Sequence, residues 1–171
     1  MSETERLEER ESAPRRTGGK TLRGRARRGA EGGAVATLVM TAYRLPVTRS
    51  LPPSAEFWSQ FVSGDDPYDH PLIALALHAL YGVLAGVGFA LLASSRDPVR
   101  GESGVGPPSP AGEVSMTVWG LVYGLVLSAF GETVVLRAVL DVDPDDRFAF
   151  HVGHVLYGIT LGAWVGTRTT D

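Results

Sequence analysis

The chain contains no cysteine, which removes disulfide frameworks, thiolate nucleophiles, iron–sulfur clusters and thiolate zinc sites together. Lysine is almost as scarce, since of the 16 basic residues only Lys20 is not an arginine. With aspartate clustered in the loops, this is the flavour of a GC-rich halophile. None of the glycines has the strand context and the Lys-Ser or Lys-Thr ending of a phosphate loop. The acidic pairs Asp65-Asp66 and Asp145-Asp146 sit in outer loops, where solvation or helix N-terminal charge accounts for them. Asp69 and Asp145 resemble first-turn acids of the helices that follow. Polar stripes at helical spacing, which a soluble bundle needs, are also missing from the second apolar stretch.

Long apolar runs are what the chain does have. Residues 71–93 are apolar apart from His78 and Tyr81. At 1.5 Å per residue they reach about 34 Å, against a hydrocarbon core of about 30 Å. Residues 114–135 and 148–166 are similar, and 30–47 is the most polar of the set, with Glu31, Thr37, Thr41 and Arg44. The expectation is an all-α integral membrane four-helix bundle occupying 29–171, with four spans near 30–47, 71–93, 114–135 and 148–166. A cleaved signal peptide would also place a basic region before an apolar one. The long polar leader, the interior Arg44 and the lack of a small-residue cleavage site speak against it.

Nine of the sixteen basic residues precede residue 29, and Arg96, Arg100 and Arg168 lie in the second loop and the C-terminal tail. By the positive-inside rule these segments are cytoplasmic, so the chain is expected in the plasma membrane with both termini inside. The leader 1–28 lacks large apolar residues and reads as a disordered basic segment. Arg23 to Arg28 serve there as a topology determinant resting on anionic headgroups, and no nucleic-acid partner is expected. The stretch 94–113, rich in proline and glycine, reads as a flexible connector.

One phrase occurs twice: His78-Ala79-Leu80-Tyr81-Gly82 and, 76 residues on, His154-Val155-Leu156-Tyr157-Gly158. The first and third apolar stretches align at a different offset, 87, through Leu38 to Tyr43 and Leu125 to Phe130. The expectation is two parallel-repeat helical hairpins about a pseudo-twofold along the membrane normal. Small residues at spacing four predict the helix contacts, in the manner of GxxxG motifs: Gly33 on the first helix, Gly82 and Gly86 on the second, Gly120 and Gly124 on the third, Gly158 and Gly162 on the fourth. Phe57, Trp58, Phe61 and Val62 suggest a short interfacial helix in the first outer loop.

Following the small-residue rows outward leads to ionisable groups, which are costly at membrane depth and so are candidates for function. These are Arg44, His78, Glu132, His151 and His154, edged by Tyr81, Tyr157, Thr41 and Ser128, an expected outer-half polar cluster. Its first reading is structural, with Arg44 paired to Glu132 and each histidine bonded across helices. A small transporter or proton or ion channel component is the alternative. Haem or divalent-metal binding by His78, His151 and His154 is the third, and no cofactor is otherwise expected.

The strings Gly33 to Thr41, Arg44-Leu45-Pro46, Leu51-Pro52-Pro53 and His151 to Gly158 resemble uncharacterised small four-span membrane proteins of halophilic archaea. The resemblance covers roughly residues 29 to 166 and implies a membrane protein without an assigned activity. The expected role is therefore non-enzymatic, a structural or interaction subunit whose partners are the lipid bilayer, a second copy, or another membrane protein.

Overall fold

The structure, a computed structural model, describes residues 18–94 and 110–168. The leader before residue 18 and most of the 94–113 connector lie outside the described residues. Five helices and no strand are found among the described residues. Helix α1 (Gly18–Thr48) takes in the last residues of the leader, and Arg49, at a positive φ of 54°, ends it. The short α2 (Ser54–Trp58) continues as a wider turn, Ser59–Ser63, and stops at left-handed Gly64. Next come α3 (Pro71–Ser94) and α4 (Pro110–Phe130), the latter running on without a break through Gly131–Leu140 in wide i→i+5 turns. Finally α5 (Arg147–Thr167) is capped by Asp146, whose carboxylate accepts from the Ala149 N–H at 2.9 Å. The cap is thus Asp146 and not Asp145.

Three of these helices are long and apolar enough to cross a bilayer: 71–93, 112–140 and 147–167. This corrects the expected four spans. Helix α1 has the length, but Arg23, Arg25, Arg27, Arg28, Glu31 and Arg44 together with its glycines and threonines keep it too polar. Of its charges, Glu31 is paired. Glu31 accepts from Arg27 at 2.9 Å and from Arg168 at 3.3 Å, and the Arg168 guanidinium lies 3.6 Å over the Trp164 ring.

Glycine explains how closely the helices approach. A Cβ on Gly33 would collide with the Gly82 carbonyl oxygen, and one on Gly86 with that of Gly29, so α1 and α3 meet backbone to backbone. In the same way Gly120 meets Gly158 and Gly162, and Gly124 meets the His154 carbonyl, joining α4 to α5. Helices in lipid gain little from hydrophobicity and rely on such close packing. The two pairs join through α1 and α5, where Ala36, Met40, Tyr157, Leu161 and Val165 are all at most 4% exposed, with Phe89 of α3 beside them.

The result is a row in the order α3, α1, α5, α4, and this corrects the expected four-helix bundle of paired hairpins. A closed bundle would bring α3 against α4 along their length. Instead they meet around Tyr123, whose hydroxyl donates to the Ala85 carbonyl at 2.8 Å and whose ring lies 5.3 Å from that of Phe89. The physical reason is the depth of the glycine contacts, which draw each pair together and leave the outer end of the α3–α4 seam open. Burial follows the row. Only 22% of the apolar window of α3 and 22% of that of α4 is buried within the protein, against 50% for α5. Apolar side chains such as Leu72, Leu84 and Val126 face outward at 80, 61 and 58% exposure, as a lipid-facing surface requires.

Candidate functional site

The widened part of α4 builds the first half of the outer polar layer. In i→i+5 turns, residues five apart stack as residues four apart do in an α-helix, so Glu132 and Arg137 come together on one face. Arg137 Nη2 donates to Glu132 Oε1 at 2.7 Å, and Arg147 Nε, from the first turn of α5, pairs with the same oxygen at 3.0 Å. Asp143 lies 3.6 Å from Arg137 and 3.7 Å from Arg147, which ties the loop into the group. The other carboxylate oxygen, Oε2, lies 3.1 Å from His151 Nε2. Across the ring, Nδ1 lies 2.6 Å from the Ser128 hydroxyl, so the imidazole is held between serine and carboxylate.

Serine, histidine and carboxylate in that order have the connectivity of a nucleophilic triad, and burial decides against that use. Ser128 is 1% exposed and sits inside α4, where backbone N–H groups are engaged in the helix, so neither a substrate nor an oxyanion has a place beside it. The arrangement fixes the ring of His151 and thereby α5 against α4.

The second half of the layer is quite different. Arg44 of α1 is 7% exposed, yet its Nε and Nη1 have no hydrogen-bond partner and it makes no ion pair among the described residues. The expected Arg44–Glu132 pairing does not form, because Arg137, Arg147 and His151 occupy Glu132 instead. His154 donates from Nδ1 to the Phe150 carbonyl at 2.9 Å and packs on the Phe150 ring at 4.5 Å, leaving Nε2 free of that bond. His78 is half-buried and forms no hydrogen bond among the described residues. So His151 and His154, three residues apart, take separate partners.

Arg44, His78 and His154 border one cavity of about 330 Å³ at the open end of the α3–α4 seam. Its walls are Met40, Leu77, Leu84, Val135 and Phe150, and α2 roofs it. That roof is pinned on both sides: Ser54 donates to the Ala74 carbonyl of α3 at 2.6 Å, and Gln60 to the Leu140 carbonyl at the end of α4 at 2.9 Å. A smaller polar cavity of about 60 Å³ separates Arg44 from Asp143 and Asp145 on the outer side.

The duplicated phrase diverges in use. Tyr157 is buried and donates to the Gly82 carbonyl at 2.6 Å, whereas Tyr81 stands 40% exposed at the rim of the cavity. Thr41 lies with Arg44 and His78 around a gap of about 10 Å³. Among the described residues no group of three or more His, Asp or Glu is disposed to hold a metal ion. The gap that His78 and His154 share with Thr37 and Tyr157 is also about 10 Å³, less room than one water needs. A haem held axially between those two rings does not fit there.

Compared with protein-family models, curated proteins and solved structures, the chain matches none. The resemblance to four-span proteins of halophilic archaea is thereby corrected. What stands is an all-α, multi-span membrane protein with a buried polar and charged network.

Sequence reasoning did not single out Arg137, Arg147 or Asp143. A signal did exist in the Asp143–Arg147 spacing of four. The Glu132–Arg137 spacing of five is informative only once the helix is known to widen.

Proposed function

We propose that the protein is a non-enzymatic integral membrane subunit with a structural or interaction role. The observation that carries this reading is the closure of the Glu132 network. Its carboxylate is taken up by two guanidinium groups and an imidazole, so the ionisable groups of α4 and α5 satisfy one another instead of lining a path. The glycine rows support it as well, because backbone contacts between α1 and α3, and between α4 and α5, leave little space for water along those seams. A second copy or another membrane protein against the lipid-facing sides of α3 and α4 is the partner this role calls for.

Reconstitution into liposomes tests the reading against the transporter alternative. Expected is no proton or cation flux above that of protein-free liposomes, together with a lowered melting temperature for Glu132→Gln. Flux that Glu132→Gln abolishes without loss of stability would replace this reading with transport.

A further inference from the structure

A guanidinium cannot shed its charge within any accessible pH range, so a buried one needs an anion or water. Arg44 makes no ion pair among the described residues: it is 7% exposed, two of its nitrogens are unpartnered, and Asp143 and Asp145 face it only across the small polar cavity. The cavity of about 330 Å³ beside it falls at the lower end of the range for small-molecule sites. Such sites are apolar with a few convergent polar groups, which describes Met40, Leu77, Leu84 and Phe150 around Arg44 and His154. An apolar cavity of this kind does not hold water well. Its rim includes Leu80, Leu84 and Phe57 at 53, 61 and 43% exposure, with Tyr81 beside them at 40%, and opens toward where the hydrocarbon of a bilayer would lie.

We propose that this recess binds an anionic amphiphile drawn from the surrounding bilayer. Its carboxylate or phosphate oxygens pair with the Arg44 guanidinium, a planar donor suited to two-point binding of an oxyanion. The acyl chain leaves through the α3–α4 seam along Leu80 and Leu84. The α2 roof, pinned at Ala74 and Leu140, closes the head of the site on the outer side. The competing arrangement is hydration of Arg44 from the 60 Å³ polar cavity facing Asp143 and Asp145, with no ligand at all. The proposal goes beyond the structural role above and does not depend on it.

Electron spin resonance of the full chain in phosphatidylcholine nanodiscs tests it with two probes that differ only in charge. These are nitroxide-labelled stearic acid, held above its ionisation range, and the methyl ester of the same molecule. Expected is a motionally restricted, saturable component in which the acid associates about tenfold more strongly than the ester, the factor one charge-assisted hydrogen bond supplies. In Arg44→Gln the acid should fall to the level of the ester. Leu84→Trp, which fills the recess and leaves Arg44 in place, should remove the restricted component for both probes, and it carries the test if Arg44→Gln does not fold. Equal restriction of acid and ester in the unmodified protein would overturn the proposal and leave Arg44 hydrated. So would selectivity that survives Leu84→Trp, because the charge would then be read outside the recess. Displacement of the probe by propionate at equal concentration would make the ligand a soluble anion and refute a bilayer source. A Soret band lost on replacing His78 and His154 by Leu would give the recess to haem, which also refutes it.

Discussion

Replacing Glu132 by Gln keeps the side chain's shape and removes its charge, which makes it the sharpest probe of the α4–α5 network. Three groups lose a carboxylate that is itself only 12% exposed. Arg137, Arg147 and His151 have side chains 48, 57 and 40% exposed, so solvent screens all three, and each arm contributes about 0.2–1 kcal/mol. The expected loss is therefore about 1–3 kcal/mol, a melting shift on the order of 3–10 °C for a chain of this size. Thermal unfolding in detergent, followed by circular dichroism, measures it alongside Arg137→Gln and Arg147→Gln. Each of those should cost no more than about 1 kcal/mol. If Glu132→Gln melts with the unmodified protein, or if Arg137→Gln costs as much as Glu132→Gln, the three groups do not share the carboxylate as described.

Glycine positions should separate by what surrounds them. Gly158→Ala drives a Cβ into the Gly120 backbone and should destabilise by about 1–3 kcal/mol, whereas Gly24, with nothing within 4 Å, should accept Ala with a gain of up to about 1 kcal/mol. Equal melting temperatures for the two variants would mean that α4 and α5 do not meet backbone to backbone. The two tyrosines of the repeated phrase should also differ. Tyr157→Phe loses the bond to the Gly82 carbonyl and about 0.5–1.5 kcal/mol of stability, while Tyr81→Phe should be silent in the same melting assay. Ser128→Ala removes the hydroxyl that orients His151 and should cost about 1 kcal/mol, less than Glu132→Gln does.

The parts of this architecture that local chemistry dictates could be read from the residues. Apolar length placed α3, α4 and α5, and the glycines spaced by four in sequence, Gly82 and Gly86, Gly120 and Gly124, Gly158 and Gly162, lie at close backbone approaches. What could not be read is set by tertiary geometry. Whether α1 crosses a bilayer depends on a balance between Glu31, Arg44 and a modest apolar content that pattern alone leaves open. The open row, in place of a closed bundle, follows from how deeply the glycine pairs sink into one another. The site was half legible. Burial cost drew attention to Arg44, Glu132 and the histidines, but not to how they divide between two neighbourhoods. Choosing Arg44 as Glu132's partner required ignoring Arg137, and in a regular α-helix a spacing of five would justify doing so. The widening of α4 from Gly131 reverses that logic. Likewise, His78 and His154 have nearly identical local sequence, yet only His154 bonds the carbonyl four residues before it, and that of Ala74 accepts from Ser54 instead.

The central claim is that the outer polar layer is split, with Glu132 satisfied by its own end of α4 and α5 while Arg44 is left to the recess. A double-mutant cycle in thermal unfolding tests this directly, pairing Glu132→Gln once with Arg44→Gln and once with His151→Gln. The account predicts that the Arg44 and Glu132 changes add to within about 0.5 kcal/mol, while the His151 and Glu132 changes couple by more than that, up to about 1 kcal/mol. Coupling above about 1.5 kcal/mol between Arg44 and Glu132, with none between His151 and Glu132, would mean that the two charges form the buried pair and that the recess holds no free cation.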